Sequence, residues 1–167
     1  GHYFEGGGPL ARRRYQEAQR VAELAGIEYQ ILDNHDAELM PTLENRWAVV
    51  NIIREYEPDL VVTNRPNDYH PDHRYTAQLV QDAAYTVTIP NVQALTPHLK
   101  YNPAIAYWND DFMRPYPHTP DVAVDVDDVA EVKIDMLDCH ESQFYEWLPY
   151  NHGTLDTLPE DRQARRQ

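Results

Sequence analysis

The sequence has few of the residues that build disulfide frameworks or membrane spans. Its 167 residues include a single cysteine, Cys139. One cysteine cannot form an intrachain disulfide, so a reducing compartment is the simpler expectation. No apolar run approaches the roughly 20 residues that cross a bilayer, and no signal peptide is recognisable at the start. We therefore expect a cytoplasmic protein.

Basic residues are also scarce. The chain carries 14 Lys and Arg residues against 28 Asp and Glu residues, which gives a net charge of −14. This charge argues against nucleic acid or an anionic membrane as the main partner and suits a small neutral or cationic substrate. The length suits one domain, which we assign to residues 1–155. Residues 156–167 form a polar tail without an apolar face, either a frayed helix or a disordered segment.

The rest of the chain alternates between helices and short apolar strands. Apolar spacing predicts helices at residues 10–25, from residue 43 to just before Pro58, and at 127–140. A further helix is opened by residues 68–74, with Pro71 at an early position, and runs to about Ala84. Alternating apolar and polar residues predict a strand at 27–32, and a short apolar, β-branched run predicts a buried strand at 60–62. Residues 103–108 and 122–126 are further candidate strands. Alternation of this kind is typical of a doubly wound α/β sheet.

The stretch richest in side chains that can bind metal or catalyse a reaction is residues 68–74, Asp-Tyr-His-Pro-Asp-His-Arg. It follows the strand at 60–62, in the region where open α/β sheets bind ligands. His70 and His73 are three residues apart, so in the first turn of a helix they point in similar directions. They could both hold a divalent metal, or one could bind metal while the other contacts substrate, with Asp72 orienting a ring. The alternative is a helix cap with solvated histidines, and the spacing alone does not decide.

Several motifs taken together resemble the LmbE-like (PIG-L) de-N-acetylase family. They are Gly6-Gly7-Gly8, Leu10-Ala11-Arg12-Arg13-Arg14 with Glu17, Pro58-Asp59-Leu60-Val61, residues 68–74, and His140-Glu141-Ser142-Gln143. The resemblance implies a Rossmann-like, mostly parallel sheet flanked by helices. It also implies a zinc-dependent hydrolase that removes an acetyl group from N-acetylglucosamine conjugates or related amides.

The resemblance gives roles to individual residues. It implies that His73 is a zinc ligand and that His70 stabilises the oxyanion or protonates the leaving amine. Asp72 would keep His70 oriented or protonated, and Arg14 and Asp36 would contact substrate. The alternative for Arg14 is a solvated or ion-paired helix arginine. The alternative for Asp36 is an ordinary turn carboxylate.

The sequence departs from the family in one respect. Members supply two zinc ligands and a general base from a His-Pro-Asp-Asp motif after the first strand, and this motif does not occur in the 167 residues. In family terms the N-terminal strand and helix are missing. Of the three expected zinc ligands only His73 is present, whereas catalytic zinc sites normally have three protein ligands.

This departure leaves several interpretations open. The missing segment could be lost, supplied by another chain, or replaced by local residues, for which His2, His35, Asp33 and Asp36 are available. Alternatively the chain is a catalytically silent fragment or binding module that keeps the fold. A third interpretation is a different two-histidine metal site, as in a metal-dependent phosphoesterase. This interpretation is less well supported, because no suitably spaced carboxylate cluster accompanies the histidines. A sheet without its central strand would expose an apolar edge, so we expect a homo-oligomer.

Overall fold

A computed structural model of the chain describes residues 1–165. Residues 166 and 167, the end of the predicted polar tail, lie outside the described part. In chain order the helices and strands are α1 (Gly7–Ala25), α2 (Leu43–Tyr56), β1 (Leu60–Thr63), α3 (Pro71–Thr86), β2 (Ala104–Tyr107), α4 (Ala130–Cys139), α5 (Leu148–His152) and α6 (Arg162–Arg165). Short 3₁₀ turns occupy Asp127–Val129 and Leu155–Thr157, and a π-helix occupies Ser142–Trp147.

The chain divides into two compact units. One unit contains Gly1–Asp33 together with the described residues from Ala123 onward, and the other contains Asn34–Val122. Elements α1, α4, α5 and α6 belong to the first unit, and α2, α3, β1 and β2 belong to the second.

The second unit is built on a parallel sheet. Within residues 1–165 the sheet consists of β1 and β2, with Leu60 opposite Ala104 and Thr63 opposite Tyr107. Helices α2 and α3 pack against each other, and α3 also contacts β1. Their shared core consists of Val50, Ile53, Ala83, Val87 and Leu99, with Val61 of the sheet packed against it. The predicted α/β class, with a parallel sheet flanked by helices, is confirmed.

The ends of α2 and α3 have local causes. The Thr42 side chain accepts a hydrogen bond from the Asn45 N–H, which satisfies one of the free donors at the start of α2. Glu57 takes a left-handed conformation, φ 47°, at the end of that helix, and Pro58 follows. Helix α3 begins with Pro71 in the first turn, where a missing N–H costs nothing. These features confirm both predicted helices, with α3 continuing two residues beyond the predicted end.

The first unit is organised on α1. This helix ends at Gly26, whose φ of 65° is the left-handed conformation that glycine adopts without a steric penalty. Its buried residues are Glu17, Ala18 and Val21, and it packs against α4. The predicted helix at 127–140 begins as a 3₁₀ turn and continues as α4. Among the described residues, no helix combines the length and the apolarity needed to cross a membrane.

The strands predicted at 27–32 and 122–126 are wrong. Neither segment forms a strand in the described structure. Their apolar side chains remain exposed, with Ile31 at 48%, Val122 at 79% and Val124 at 78% of full exposure. An alternating pattern shows which face a strand would bury, but a strand also needs a partner for its main-chain N–H and C=O groups. Within residues 1–165 neither segment pairs with another strand.

Candidate functional site

The candidate site lies between the carboxyl end of β1 and the first turn of α3. Because β1 and β2 are parallel, their carboxyl ends meet at one edge of the sheet, the usual position of ligand sites in such folds. The turn places Asp68 in a buried position, 4% exposed, and leaves Tyr69 largely exposed. His70 is the N-cap of α3, and His73 follows within the first turn.

The two imidazoles lie side by side. Their ring centroids are 4.8 Å apart and their planes differ by 31°. The side chains of His70 and His73 are 26% and 39% exposed, so both rings reach solvent. The common direction expected from the three-residue spacing is therefore present.

Each ring has a different hydrogen-bond partner on its Nδ1 atom. His70 Nδ1 accepts the Asp72 backbone N–H at 3.2 Å, which caps the helix. His73 Nδ1 lies 3.1 Å from Asp68 Oδ1. In both rings the Nε2 atom is the nitrogen left for a ligand or substrate.

The structure brings Asp36 to the same place. Its Oδ1 atom is 3.9 Å from His70 Nε2. The carboxylate of Asp72 accepts the backbone N–H groups of Ala37, at 2.8 Å, and Leu39, at 3.3 Å, which ties the loop carrying Asp36 to the start of α3. Asp72 thus contacts His70 through its backbone N–H, while its carboxylate holds the loop.

These residues offer donors of the kind that zinc prefers. One ligand atom each from Asp36, His70 and Asp72 can be chosen so that all lie within 4.8 Å of one another. His73 is outside this group, but its Asp68 partner gives it the outer-shell support that metal-binding histidines usually have. The chain therefore presents a candidate metal-binding group and an adjacent imidazole, with nitrogen and carboxylate donors that fit zinc in type.

The structure shows two neighbouring acidic residues that the sequence-based prediction of the site did not include. The first is Asp68, which accepts the His70 N–H at 2.9 Å in addition to its contact with His73. Its signal in the sequence is its position, since an aspartate two residues before an N-cap commonly bonds the main chain of the turn. The second is Asp110, three residues after β2, and its partner is Arg65, two residues after β1.

Arg65 and Asp110 form a two-pronged ion pair. Arg65 Nε lies 2.6 Å from Oδ2 and Nη2 lies 2.7 Å from Oδ1 of Asp110. The guanidinium of Arg65 lowers the pKa of Asp110, and the pKa of Arg65 is raised in return. Arg65 also donates to the Phe112 carbonyl at 2.8 Å. The pair therefore fastens the loop after β2 to the end of β1.

Arg14 belongs to the other unit. Its Nη2 donates to Gln143 Oε1 at 2.7 Å. One turn later, the buried Glu17 accepts the Ser142 N–H at 2.9 Å and the Ser142 hydroxyl at 2.6 Å. The Arg-x-x-Glu and Ser-Gln motifs are thus two sides of one contact between α1 and the π-helix. The predicted contact of Arg14 with substrate stays a prediction.

Known proteins resemble the chain in sequence. Residues 2–84 match the family described as GlcNAc-PI de-N-acetylase, PIG-L. A diacetylchitobiose deacetylase of Thermococcus kodakarensis is 35% identical over 159 residues, covering 86% of this chain and 56% of that protein. The chain therefore spans little more than half the length of this relative.

Solved structures resemble it as well. N,N'-diacetylchitobiose deacetylase from Pyrococcus horikoshii superimposes with a TM-score of 0.68 at 28% identity, covering 89% of this chain and 57% of that one. The hydratase GalB from Pseudomonas putida (TM-score 0.74, 20% identity, 98% and 68% coverage) shows the fold alone. The same holds for a conserved protein from Thermus thermophilus (TM-score 0.71, 16% identity, 93% and 68% coverage). Together, the family match and the deacetylase relatives show that the chain belongs to the PIG-L (LmbE-like) family.

Proposed function

We propose that the protein is a zinc-dependent de-N-acetylase that acts on small N-acetylated sugars. The observation that carries the proposal is the pair of adjacent imidazoles at the start of α3, with ring centroids 4.8 Å apart, in a chain 35% identical to a diacetylchitobiose deacetylase. The net charge of −14 agrees with a neutral or cationic substrate. Deacetylation of an amino sugar leaves a cationic amine as product.

His73 is the proposed metal ligand, through Nε2, because Asp68 occupies its Nδ1 side. Zinc, when bound, supplies Lewis-acid polarisation of the amide carbonyl and lowers the pKa of a bound water. The carboxylates of Asp36 and Asp72, in the neighbouring group of possible ligands, are further oxygen donors, while His70 is assigned the acid role.

His70 is the proposed acid. The Asp72 N–H points at Nδ1, so the proton of the neutral ring lies on Nε2, where it can be donated to the amide oxygen as negative charge develops. Asp36 Oδ1 lies 3.9 Å from Nε2. To protonate the leaving amine instead, the ring would first take up a proton on Nδ1 and give up the Asp72 N–H; Nε2 then delivers its proton to the nitrogen as the C–N bond breaks.

Acetate release tests the proposal. The full-length protein with zinc should release acetate from N,N'-diacetylchitobiose, and His73→Ala should lower the rate by about 10²-fold or more, as expected for a lost metal ligand or catalytic group. The matched control is His98→Ala, because His98 is exposed and lies elsewhere on the surface. Activity that survives in His73→Ala would remove His73 from the mechanism.

The second candidate function is a binding module without catalysis. The sequence observation in its favour is that the His-Pro-Asp-Asp motif does not occur in the 167 residues. Metal analysis separates the two candidates: stoichiometric zinc that is lost in His73→Ala supports the deacetylase, and failure of the wild type to bind zinc or release acetate supports the silent module. The proposed homo-oligomer can be checked on the same samples by light scattering.

A further inference from the structure

We propose that Asp68 is a positioning residue that fixes His73 as the Nδ1–H tautomer, while the start of α3 fixes His70 as the opposite, Nε2–H tautomer. The two neighbouring rings would then present different atoms to the same space: a lone pair on His73 Nε2 and a proton on His70 Nε2. The inference rests on the proposed function in one respect, since it takes His73 as the metal ligand.

The tautomer of His73 follows from the chemistry of its partner. An ionised carboxylate can only accept hydrogen bonds. Because Asp68 Oδ1 lies 3.1 Å from His73 Nδ1, the proton of the neutral ring must be on Nδ1 for a hydrogen bond to form. The lone pair then lies on Nε2, on a side chain that is 39% exposed.

Asp68 is itself held in place. It is 4% exposed, and the same Oδ1 atom accepts the His70 N–H at 2.9 Å. Its backbone carbonyl accepts a hydrogen bond from Arg74 Nη1 at 2.8 Å. The His70 N–H thus holds the carboxylate and Arg74 holds the main chain of the same residue, so the acceptor offered to the ring of His73 has a defined position.

The tautomer of His70 follows from the opposite argument. A backbone N–H can only donate, and the N–H of Asp72 points at His70 Nδ1 at 3.2 Å. Nδ1 therefore carries the lone pair, and the proton of the neutral ring lies on Nε2. The Asp72 carboxylate does not compete for this role, because it is occupied by the N–H groups of Ala37 and Leu39.

As a consequence, the two rings are prepared for different roles before metal or substrate binds. A free Nε2 lone pair is what a metal requires, and a carboxylate behind the ring increases the basicity of the ligand. An Nε2–H is what a developing oxyanion requires. If both rings had the same tautomer, one of these functions would need a proton to move first.

Nitrogen NMR of the metal-free protein tests the inference without any activity measurement. Long-range ¹H–¹⁵N correlations of the imidazoles at a pH of about 8.5, above the ordinary titration range of histidine, distinguish the two tautomers. His70→Gln and His73→Gln assign the signals. We expect Nδ1–H for His73 and Nε2–H for His70. An Nε2–H tautomer for His73, or an even mixture, would overturn the proposal from the wild-type spectrum alone.

Substitution of Asp68 gives the second arm. Asp68→Ala should move His73 towards Nε2–H and weaken zinc binding to the full-length protein by about 10- to 100-fold, whereas Asp68→Asn, which keeps an acceptor oxygen, should largely retain both properties. The matched control is Asp121→Ala, at an exposed position. An unchanged tautomer and zinc affinity in Asp68→Ala would also reject the inference. Expected tautomers without acetate release would reject the proposed function and keep the inference.

Discussion

Arg54 offers a sharp test of how α2 is joined to the segment that follows α3. Its side chain is buried, 2% exposed. Its five N–H groups contact six main-chain carbonyls at distances from 2.6 to 3.2 Å, so one N–H on Nη1 is shared between two carbonyls; the acceptors are Thr86, Val87, Ile89, Val92, Gln93 and Thr96. None of the ion pairs found in residues 1–165 involves it, and burial lowers its pKa. The guanidinium is thus solvated by carbonyl dipoles in place of water.

The expected cost of Arg54→Lys follows from counting donors. An ammonium group has three N–H donors in place of five, so it can give an unshared hydrogen bond to at most three of the six carbonyls. A buried carbonyl that loses its donor costs about 1–3 kcal/mol, and at the low end of this range three carbonyls cost roughly 3 kcal/mol. For a chain of this size, that would lower Tm by roughly 6–12 °C. The loss is a large part of the ~5–15 kcal/mol that stabilises a typical domain.

Urea unfolding followed by far-UV circular dichroism measures this cost as a difference in the free energy of unfolding. Arg12→Lys is the matched control, because Arg12 is exposed on α1 and should be within about 0.5 kcal/mol of wild type. If Arg54→Lys is also within about 0.5 kcal/mol of the control, the carbonyl contacts do not stabilise the fold and the reasoning fails.

Two further contacts yield predictions of stability. Asp110→Asn should cost about 3 kcal/mol at neutral pH, because it breaks a largely buried ion pair with Arg65. Arg65 lowers the pKa of Asp110 in the folded protein, so this stabilisation is fully present above the unfolded pKa of about 4 and is lost as pH falls through the lower folded pKa. The urea midpoints of variant and wild type should therefore converge in acid. A difference that stays constant with pH would contradict the assignment. In the other unit, a double-mutant cycle of Glu17→Gln and Ser142→Ala should give a coupling energy of about 1–2 kcal/mol, whereas a value near zero would show that the short hydrogen bond adds no stability.

The helices were predictable because their signals are local. The spacing of apolar residues along 10–25 and the Gly26 that follows are sufficient for α1, and Pro58 marks the end of α2. The strand at 60–62 pairs with residues 104–107, but the segments at 27–32 and 122–126, which also have strand-like patterns, pair with no strand within residues 1–165. A strand depends on a second segment, and a pattern in one segment carries no information about the other.

Parts of the candidate site were likewise predictable from local sequence, and other parts depend on contacts between distant segments. The proximity of His70 and His73 is a property of one helical turn, so three-residue spacing predicts it. Asp36 reaches the site because the Asp72 carboxylate captures two N–H groups of its loop, a contact that no local pattern specifies. Similarly, Arg65 meets Asp110 only because β1 and β2 are paired in parallel.

The identity of residue 70 carries information that the fold alone does not require. The first turn of a helix leaves N–H groups without partners, and serine, threonine, aspartate or asparagine at the N-cap satisfies one of them well. His70 performs this duty with Nδ1, through a bond of 3.2 Å. Folding would be served as well by a smaller side chain, which has no second nitrogen to offer. The imidazole therefore adds an Nε2 atom that lies 3.9 Å from Asp36 Oδ1, on a ring beside that of His73. Helix capping does not require this atom, so a role in the chemistry of the site explains it better.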